Sequence, residues 1–271
     1  MVPKKIHYCW FGNGEKSDLI KKCMTTWKNV LPEYEIREWS EKDLEIFNDN
    51  RYVQQAYQHK KWAFVSDVFR LYALYSEGGI YLDTDVEIRK PFDEFLDLDF
   101  FIGSEKHCSS KTIGTAVIGA CRHNEIIKKM LDLYKNLDFV RPDGSLDTMA
   151  NTVRLVPVLK QCGASKVYTL EDIVEIDEKS KIYPINYFCC NTPESYSVHH
   201  FEGSWFDPWK LKTKISFPWF RNKRLVFYRY KNMKKDVPFE YPVKMCHKIF
   251  EYDYGVSDTR GRKILLIEED K

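Results

Sequence analysis

A pair of glycines, Gly78 and Gly79, separates two strongly apolar segments, and this arrangement constrains the fold more than any other feature. The preceding run, from Trp62 to Glu77, is long and apolar enough for a buried helix that a glycine would end. The following run, Ile80–Ile88, is β-branched and apolar around two aspartates, which is typical of a central strand with a functional end. A buried helix that leads directly into a buried strand indicates an α/β fold.

Strand-like and helical segments also alternate upstream of this unit. We expect a strand over Ile6–Trp10, a helix capped by Ser17 and closed by Pro32, and a second strand over Tyr34–Trp39. Such alternation predicts a mostly parallel sheet with crossover helices, and these sheets bind ligands at the carboxyl ends of their strands.

Composition narrows the functional classes. The chain has 271 residues and a formal net charge of +2, which argues against a surface built as a whole for nucleic acid. The longest candidate for a membrane span, Thr112–Cys121, is too short to cross a bilayer. The eight cysteines show no CxxC pair and no zinc-finger spacing, so we expect reduced thiols and a cytoplasmic protein.

The two aspartates at the end of the predicted strand are the main candidates for chemistry. On an extended chain, residues i and i+2 project to the same side, so Asp83 and Asp85 can share one cation or one cation and a ribose. The alternative is a pair of aspartates that cap or turn the backbone.

The preceding helix carries a second polar pair. Asp67 and Arg70 are i, i+3 neighbours on a helix that is otherwise mostly apolar or aromatic, so their side chains meet on one face. An ion pair on a solvated face is the alternative, but the apolar surroundings favour a functional pair.

Several segments resemble glycosyltransferase family 32, whose members are sugar-nucleotide-dependent enzymes related to yeast-type α-mannosyltransferases and bacterial capsular polysaccharide transferases. The segments Ala63–Leu71 and Tyr75–Val86 resemble the family's DxD region. The opening segment Pro3–Gly12 resembles its first strand, and Val198–Trp205 resembles its closing histidine-containing segment. These matches occur in the expected order.

The resemblance implies a GT-A fold, in which a Rossmann-like, mostly parallel central sheet is flanked by helices. Residues 1–208 would form this glycosyltransferase domain. Residues 209–271 lie beyond the resemblance, and from their composition we expect a basic, aromatic C-terminal extension that serves as a membrane-surface or acceptor-side appendage.

The resemblance also implies a metal site. Asp85 would hold Mn²⁺ or Mg²⁺ directly, Asp83 would face the ribose or a metal-bound water, and His200 would be the far ligand. His200 is preferred to His199 because, in related GT-A enzymes, a ligating histidine stands three residues before a glycine, as His200 does before Gly203.

Donor contacts follow from the same resemblance. The catalytic residues Asp67 and Arg70 would bind the hydroxyls of the donor sugar, with the guanidinium reaching toward the diphosphate as well. Besides Asp83, the residues expected to bind the nucleotide are Tyr8, Trp10, Gly12, Ser204 and Trp205. Tyr8 and Trp10 would flank the base, although core packing is an equal alternative for both.

The implied activity is a metal-dependent, retaining transfer of a hexose from a UDP- or GDP-linked donor to a saccharide or lipid-linked acceptor, in capsular or other surface polysaccharide synthesis. No nucleophile is identified, and a front-face mechanism guided by the leaving phosphate is the working assumption. One alternative is a Mg²⁺-dependent phosphatase of the haloacid-dehalogenase type, whose motif Leu82–Val86 matches formally. Another is a non-catalytic module that binds sugar nucleotides.

The segment from Trp209 to Lys235 differs from the rest of the chain. It contains ten basic residues, seven aromatic residues and no acid, which leaves a formal charge of about −8 on the remaining residues. This composition favours an interfacial anchor on anionic lipid over a solvated basic face, and both over nucleic-acid binding. We therefore expect a cytoplasmic protein with peripheral contact on the inner face of the cell membrane.

Overall fold

The computed structural model describes residues 1–107, 110–202, 213–216, 223–228 and 265–270. The chain divides into two units, Met1–Glu202 and Gly203–Lys271. The domain boundary predicted after residue 208 falls outside the described residues. Within the described part, no helix is long and apolar enough to cross a bilayer.

The first unit contains seven α-helices and nine strands among its described residues. The helices are α1 (Asp18–Val30), α2 (Arg51–Gln58), α3 (Trp62–Glu77), α4 (Glu125–Asp132), α5 (Asn151–Arg154), α6 (Val156–Gln161) and α7 (Ile185–Phe188). The strands are β1 (Lys5–Cys9), β2 (Glu35–Trp39), β3 (Gly79–Leu82), β4 (Val86–Ile88), β5 (Phe100–His107), β6 (Ser110–Ala120), β7 (Val174–Asp177), β8 (Ser180–Tyr183) and β9 (Ser197–His199). Two 3-10 helices span Glu41–Phe47 and Asp93–Phe95.

A seven-stranded sheet forms the centre of this unit, in the order β2-β1-β3-β6-β5-β8-β7. Strands β1, β2, β3, β5 and β8 run in one direction, whereas β6 and β7 run in the other. The apolar stretch Thr112–Cys121 lies almost entirely in β6. The prediction of an α/β fold with a mostly parallel central sheet flanked by helices is confirmed.

Both faces of the sheet are covered, as the side chains of β3 show. Ile80 and Leu82 belong to a hydrophobic cluster that includes Trp27 of α1. Tyr81, which points to the opposite face, belongs to a second cluster that includes Leu71 of α3. The continuous apolar character of β3 therefore follows from burial on both faces.

Capping and glycine signals in the sequence correctly predicted the start of α1 and the end of α3. The Ser17 side chain accepts a hydrogen bond from the backbone N–H of Ile20 at 3.2 Å and caps α1, as predicted. The predicted helix over Trp62–Glu77 is α3, and Gly78 follows it with φ +70°. Such a φ is accessible mainly to glycine, so Gly78 ends the helix for a steric reason.

The prediction of one continuous strand over Ile80–Ile88 is wrong, because the chain turns between β3 and β4. The N–H of Val86 donates to the carbonyl of Asp83 at 3.1 Å, which closes the turn. Beyond it, β4 leaves the main sheet and pairs with β9 in a separate two-stranded sheet. The two aspartates therefore lie on a turn rather than on one face of an extended strand.

His7 holds the backbone at the glycine pair. Its Nε2–H donates to the carbonyl of Gly78 at 2.7 Å, and its Nδ1 accepts from the indole N–H of Trp39 at 3.1 Å. The side chain is fully buried, and this burial lowers the pKa of His7 to about 4. A neutral imidazole thus links β1, β2 and the end of α3.

This burial predicts a pH-dependent stability. Between pH 6.5 and 4 the unfolded chain binds a proton at His7 that the folded chain does not, so stability falls as the pH falls, by up to about 3 kcal/mol. Urea unfolding at pH 7 and at pH 4.5 measures the loss. His7→Gln should remove this part of it, whereas His59→Gln, at an exposed histidine, should leave it unchanged. Equal losses in wild type and His7→Gln would contradict the assignment.

The second unit contains strands β10 (Thr213–Ser216), β11 (Lys223–Tyr228) and β12 (Leu265–Asp270) among its described residues. They form an antiparallel sheet in the order β10-β11-β12. Apart from β10 and β11, the basic aromatic segment Trp209–Lys235 lies outside the described residues.

Candidate active site

The turn after β3 brings two aspartates next to a histidine from a distant part of the chain. Strand β9 pairs antiparallel with β4, and the register sets His199 opposite Val86. As a result, the His199 Nε2 lies 3.4 Å from Asp85 Oδ1. The backbone N–H of Glu202 donates to Asp85 Oδ2 at 2.8 Å, which fixes the carboxylate in this orientation.

These side chains could hold a metal ion. One potential ligand atom from each of Asp83, Asp85 and His199 lies within 4.8 Å of the others. Carboxylate oxygens with one imidazole nitrogen suit Mn²⁺, and the carboxylates alone suit Mg²⁺. A cation between them would interact with all three side chains.

The structure brings His199 to the aspartates, and not His200, which we preferred from the sequence. The Nε2 of His200 instead lies 2.9 Å from Glu87 Oε2, near the surface. The reason is the alternation of side chains along an extended chain: when the register turns His199 toward Asp85, the next residue points away. The spacing of a histidine from a downstream glycine gives no information about the register between β4 and β9.

The predicted contact between Asp67 and Arg70 is present, and it extends to the first aspartate of the motif. Arg70 Nη2 lies 2.9 Å from Asp67 Oδ1, and Arg70 Nη1 lies 3.2 Å from Asp83 Oδ1. The guanidinium also stacks on the ring of Tyr81, 4.5 Å from its centroid. Arg70 is 5% exposed, so this is a buried ion-pair network rather than a solvated face.

Strand β6 supplies two further contacts. Its pairing with β5 shifts register between Ile102 and Gly103, and within this bulge the carbonyl of Thr115 accepts from Arg70 Nη1 at 2.6 Å. On the other edge of β6, the carbonyl of Ala116 accepts from the Asp83 N–H at 2.9 Å, which continues the pairing of β3 with β6. The bulge therefore helps to fix the guanidinium, and the regular β3–β6 pairing fixes the start of the turn. The sequence analysis did not identify the bulge.

Burial and charge act differently on the three aspartates. Burial raises the pKa of Asp67 to about 6 and also raises the pKa of Asp83, although Arg70 opposes the effect at both. Burial alone would raise the pKa of Asp85 as well, but His199 and the N–H of Glu202 lower it below its ordinary value. Asp85 is therefore the aspartate most strongly held in its charged form.

The charge balance of the cluster fits a divalent cation. Three carboxylates, those of Asp67, Asp83 and Asp85, surround one guanidinium, that of Arg70, and one imidazole, that of His199. Buried carboxylates that outnumber their cations are costly, and a bound divalent ion offsets the excess. The His199 Nε2 lies 3.4 Å from Asp85 Oδ1, so the imidazole can present a nitrogen to the same cation.

The residues predicted at the nucleotide base lie on β1 and directly after it. Tyr8 is buried, packs edge-on against Trp27, and donates from its hydroxyl to Glu38 Oε2 at 2.5 Å. Trp10 is half-buried, and the ammonium of Lys16 lies 4.9 Å from its ring centroid. Tyr8 is thus engaged in the core, whereas Trp10 retains exposed surface. Contact of either ring with a base remains a prediction.

Gly12 is required by its surroundings. It has φ +92°, and a Cβ atom there would lie 2.4 Å from Nε1 of Trp62. Its N–H donates to Glu41 Oε1 at 2.5 Å. Close packing against Trp62 accounts for this glycine without a ligand. The other two residues predicted to bind the nucleotide, Ser204 and Trp205, lie outside the described residues.

The structure adds one acidic residue that sequence reasoning missed. Glu105, on β5, lies with its Oε2 3.4 Å from His199 Nδ1. Both residues line a recess together with Gly103, Gly114 and Cys189. No local motif marks Glu105, because it meets the histidine only through the arrangement of separate strands.

Comparison with protein families agrees with this geometry. The family described as "Glycosyltransferase sugar-binding region containing DXD motif" matches residues 17–101, which include α3, the glycine pair and both motif aspartates. This part of the chain is similar to the sugar-binding region of DXD-containing glycosyltransferases. The predicted resemblance is confirmed at the level of this family.

Relatives of these glycosyltransferases occur in viruses and fungi. "Uncharacterized glycosyltransferase L373" of Acanthamoeba polyphaga mimivirus is 27% identical over 241 residues, 84% of this chain and 91% of the relative. "Inositol phosphoceramide mannosyltransferase 3" of Schizosaccharomyces pombe is 26% identical over 142 residues, 50% of this chain and 37% of the relative. The solved structure of the PaToxG glycosyltransferase has 25% identity and a TM-score of 0.46, covering 59% of this chain and 69% of that chain.

Most of the curated relatives are longer than the region they share with this chain. Apart from the mimivirus protein, the matched region spans 24–37% of the length of each. This chain therefore matches a third or so of each of those relatives, or less.

The choice between the two histidines gives a direct test of the site. We expect His199→Ala to weaken Mn²⁺ binding at least tenfold, about 1.4 kcal/mol or more, because a nitrogen ligand is lost. His200→Ala, which removes a neighbouring imidazole outside the cluster, should bind Mn²⁺ within twofold of wild type. Titration of Mn²⁺ followed by electron paramagnetic resonance measures both. The reverse ranking would assign the metal to His200, as the sequence alone had favoured.

Proposed function

We propose that this chain is a metal-dependent, retaining glycosyltransferase that moves a hexose from a UDP- or GDP-linked donor to a saccharide or lipid-linked acceptor, in capsular or other surface polysaccharide synthesis. The observation that carries the proposal is the convergence of Asp83, Asp85 and His199 within 4.8 Å in a chain similar to the DXD family. Two relatives are named mannosyltransferases, so GDP-linked mannose is the first donor to test.

Asp85 and His199 would hold the cation directly. Asp85 Oδ2 is already bound by the Glu202 N–H, which leaves Oδ1 turned toward His199 and available to a metal. When bound, Mn²⁺ or Mg²⁺ neutralises the negative charge that develops on the diphosphate leaving group.

Arg70 sets the position of the first aspartate. It holds Asp83 through Nη1 and is itself held by Asp67 and by the carbonyl of Thr115. Because the guanidinium is buried and bonded on several sides, it keeps the Asp83 carboxylate in one place before a donor binds. We propose that the remaining polar surface of Asp67 and Arg70 binds hydroxyls of the donor sugar.

The central experiment replaces Asp85. In Asp85→Asn the side chain keeps its size but loses its charge, so transfer should fall by three orders of magnitude or more, equivalent to about 4 kcal/mol of transition-state stabilisation. The assay follows nucleoside diphosphate release from a panel of UDP- and GDP-hexoses with Mn²⁺. Asp49→Asn, at an exposed aspartate outside the cluster, is the matched control and should retain wild-type turnover. Near-normal turnover in Asp85→Asn would contradict the proposal.

Two other functions would give different results in assays with phosphate esters and sugar nucleotides. A phosphatase of the haloacid-dehalogenase type would hydrolyse simple phosphate esters with Mg²⁺ and no nucleotide. A binding module would be stabilised by a sugar nucleotide, by about 2.7 kcal/mol at one hundred times the dissociation constant, without breaking it down. The family match favours neither alternative.

We also propose that the segment Trp209–Lys235 contacts anionic membrane, on the cytoplasmic face where a lipid-linked acceptor would lie. The support is its composition, ten cations interleaved with seven aromatic residues and no acid. Attraction to anionic lipid is worth roughly 1 kcal/mol for each basic residue near the surface.

Flotation with vesicles tests this contact. Vesicles rich in phosphatidylserine should carry the wild-type chain upward, and replacement of Lys210, Lys212 and Lys214 by Glu should abolish flotation. The matched control replaces three exposed lysines of α1, Lys21, Lys22 and Lys28, by Glu and should still float. Unchanged flotation of the first variant would refute an electrostatic anchor in this segment.

A further inference from the structure

The imidazole of His199 lies between two carboxylates that contact its two different nitrogens. Nε2 is 3.4 Å from Asp85 Oδ1, and Nδ1 is 3.4 Å from Glu105 Oε2. The histidine side chain is 11% exposed, and those of Asp85 and Glu105 are 13% and 14% exposed. Nε2 therefore faces the candidate metal site, and Nδ1 faces a single acidic residue, Glu105.

The Glu105 carboxylate occupies space that is free because position 114 has no side chain. Gly114 pairs with Gly103 across β5–β6 and so lies diagonal to Glu105, and a Cβ atom on Gly114 would lie 2.8 Å from Glu105 Oε2 and 3.0 Å from its Cβ. The register shift that begins at Gly103 sets Gly114 at this level of the sheet. Any side chain at position 114 would displace the carboxylate, so the glycine and the bulge together permit the contact with His199.

The proton on His199 decides which nitrogen can bind a cation. A neutral imidazole carries one N–H, and the nitrogen that lacks it presents a lone pair. At present Nδ1 is buried without a hydrogen-bond partner, and Glu105 Oε2 is an acceptor within a small movement of it. If Nδ1–H donates to Glu105, the lone pair of Nε2 faces Asp85 and the space between the motif aspartates.

We propose that Glu105 is a positioning residue that accepts a hydrogen bond from His199 Nδ1–H and thereby holds Nε2 ready to bind the divalent cation. This inference rests on the proposed function, since it assumes the metal site formed by Asp83, Asp85 and His199. Glu105 adds no ligand of its own. It selects the tautomer, orients the ring, and increases the basicity of Nε2 through its negative charge.

Metal affinity in the absence of any donor or acceptor tests the proposal. Glu105→Gln keeps the size of the side chain but removes its charge, and we expect it to weaken Mn²⁺ binding about tenfold. The matched control is Glu87→Gln, because Glu87 Oε2 lies 2.9 Å from the other histidine, His200, outside the cluster. This control should bind Mn²⁺ within twofold of wild type. Thermal unfolding of both variants verifies that they are folded.

A double substitution shows whether Glu105 acts through His199. In the His199→Ala background there is no imidazole left to orient, so adding Glu105→Gln should change Mn²⁺ affinity less than twofold. A general electrostatic effect of Glu105 on the site would instead persist at full size in that background.

Pulsed electron paramagnetic resonance supplies a spectroscopic readout. Bound Mn²⁺ should show coupling to an imidazole ¹⁴N in wild type and in Glu87→Gln, none in His199→Ala, and weakened coupling in Glu105→Gln. A purely structural role for Glu105 would lower the melting temperature without changing this coupling.

The outcomes separate this inference from the proposed function. Wild-type affinity and coupling in Glu105→Gln, or an equal loss with and without His199, would overturn the role of Glu105 and leave the metal site in place. Absence of Mn²⁺ binding by the wild-type chain would overturn both.

Discussion

The buried guanidinium of Arg70 is the constraint on which the rest of the site depends. A charged group at 5% exposure needs charged and hydrogen-bonding partners, and Arg70 finds them on three separate elements. It contacts Asp67 on its own helix, Asp83 after β3, and the carbonyl of Thr115 on β6. Helix α3, the motif turn and the bulged strand are therefore held together at one point, and a shift of any of them would remove a partner from the buried guanidinium.

This network also divides the carboxylates into two groups. Arg70 pairs with Asp67 and Asp83, whereas Asp85 faces His199 and a backbone N–H. The first group is a rigid support, because one buried guanidinium holds both of its carboxylates in place. The second group presents a carboxylate and an imidazole nitrogen to the same space, and both are ligand types that a divalent cation binds. The turn after β3 creates this division by sending Asp83 and Asp85 to different partners.

Features that depend on neighbouring residues were predictable from the sequence. The bounds of α3, the end of that helix at Gly78 and the meeting of Asp67 with Arg70 follow from helical periodicity and from the backbone freedom of glycine. The alternation of strands and helices likewise predicted the α/β sheet. The break between β3 and β4 was not predictable in this way, since β-branched residues continue on both sides of the turn and only pairing with β9 draws β4 out of the sheet.

The sequence by itself determined which chemical groups this protein has and their local spacing: two aspartates after a buried strand, an ion pair on the preceding helix, and two adjacent histidines far along the chain. Only the tertiary structure decided that His199 rather than His200 meets Asp85, and that Glu105 stands behind it. Both outcomes follow from strand register and from a bulge. A shift of one residue in register would exchange the two histidines, and local sequence does not encode the register of strands that are distant along the chain.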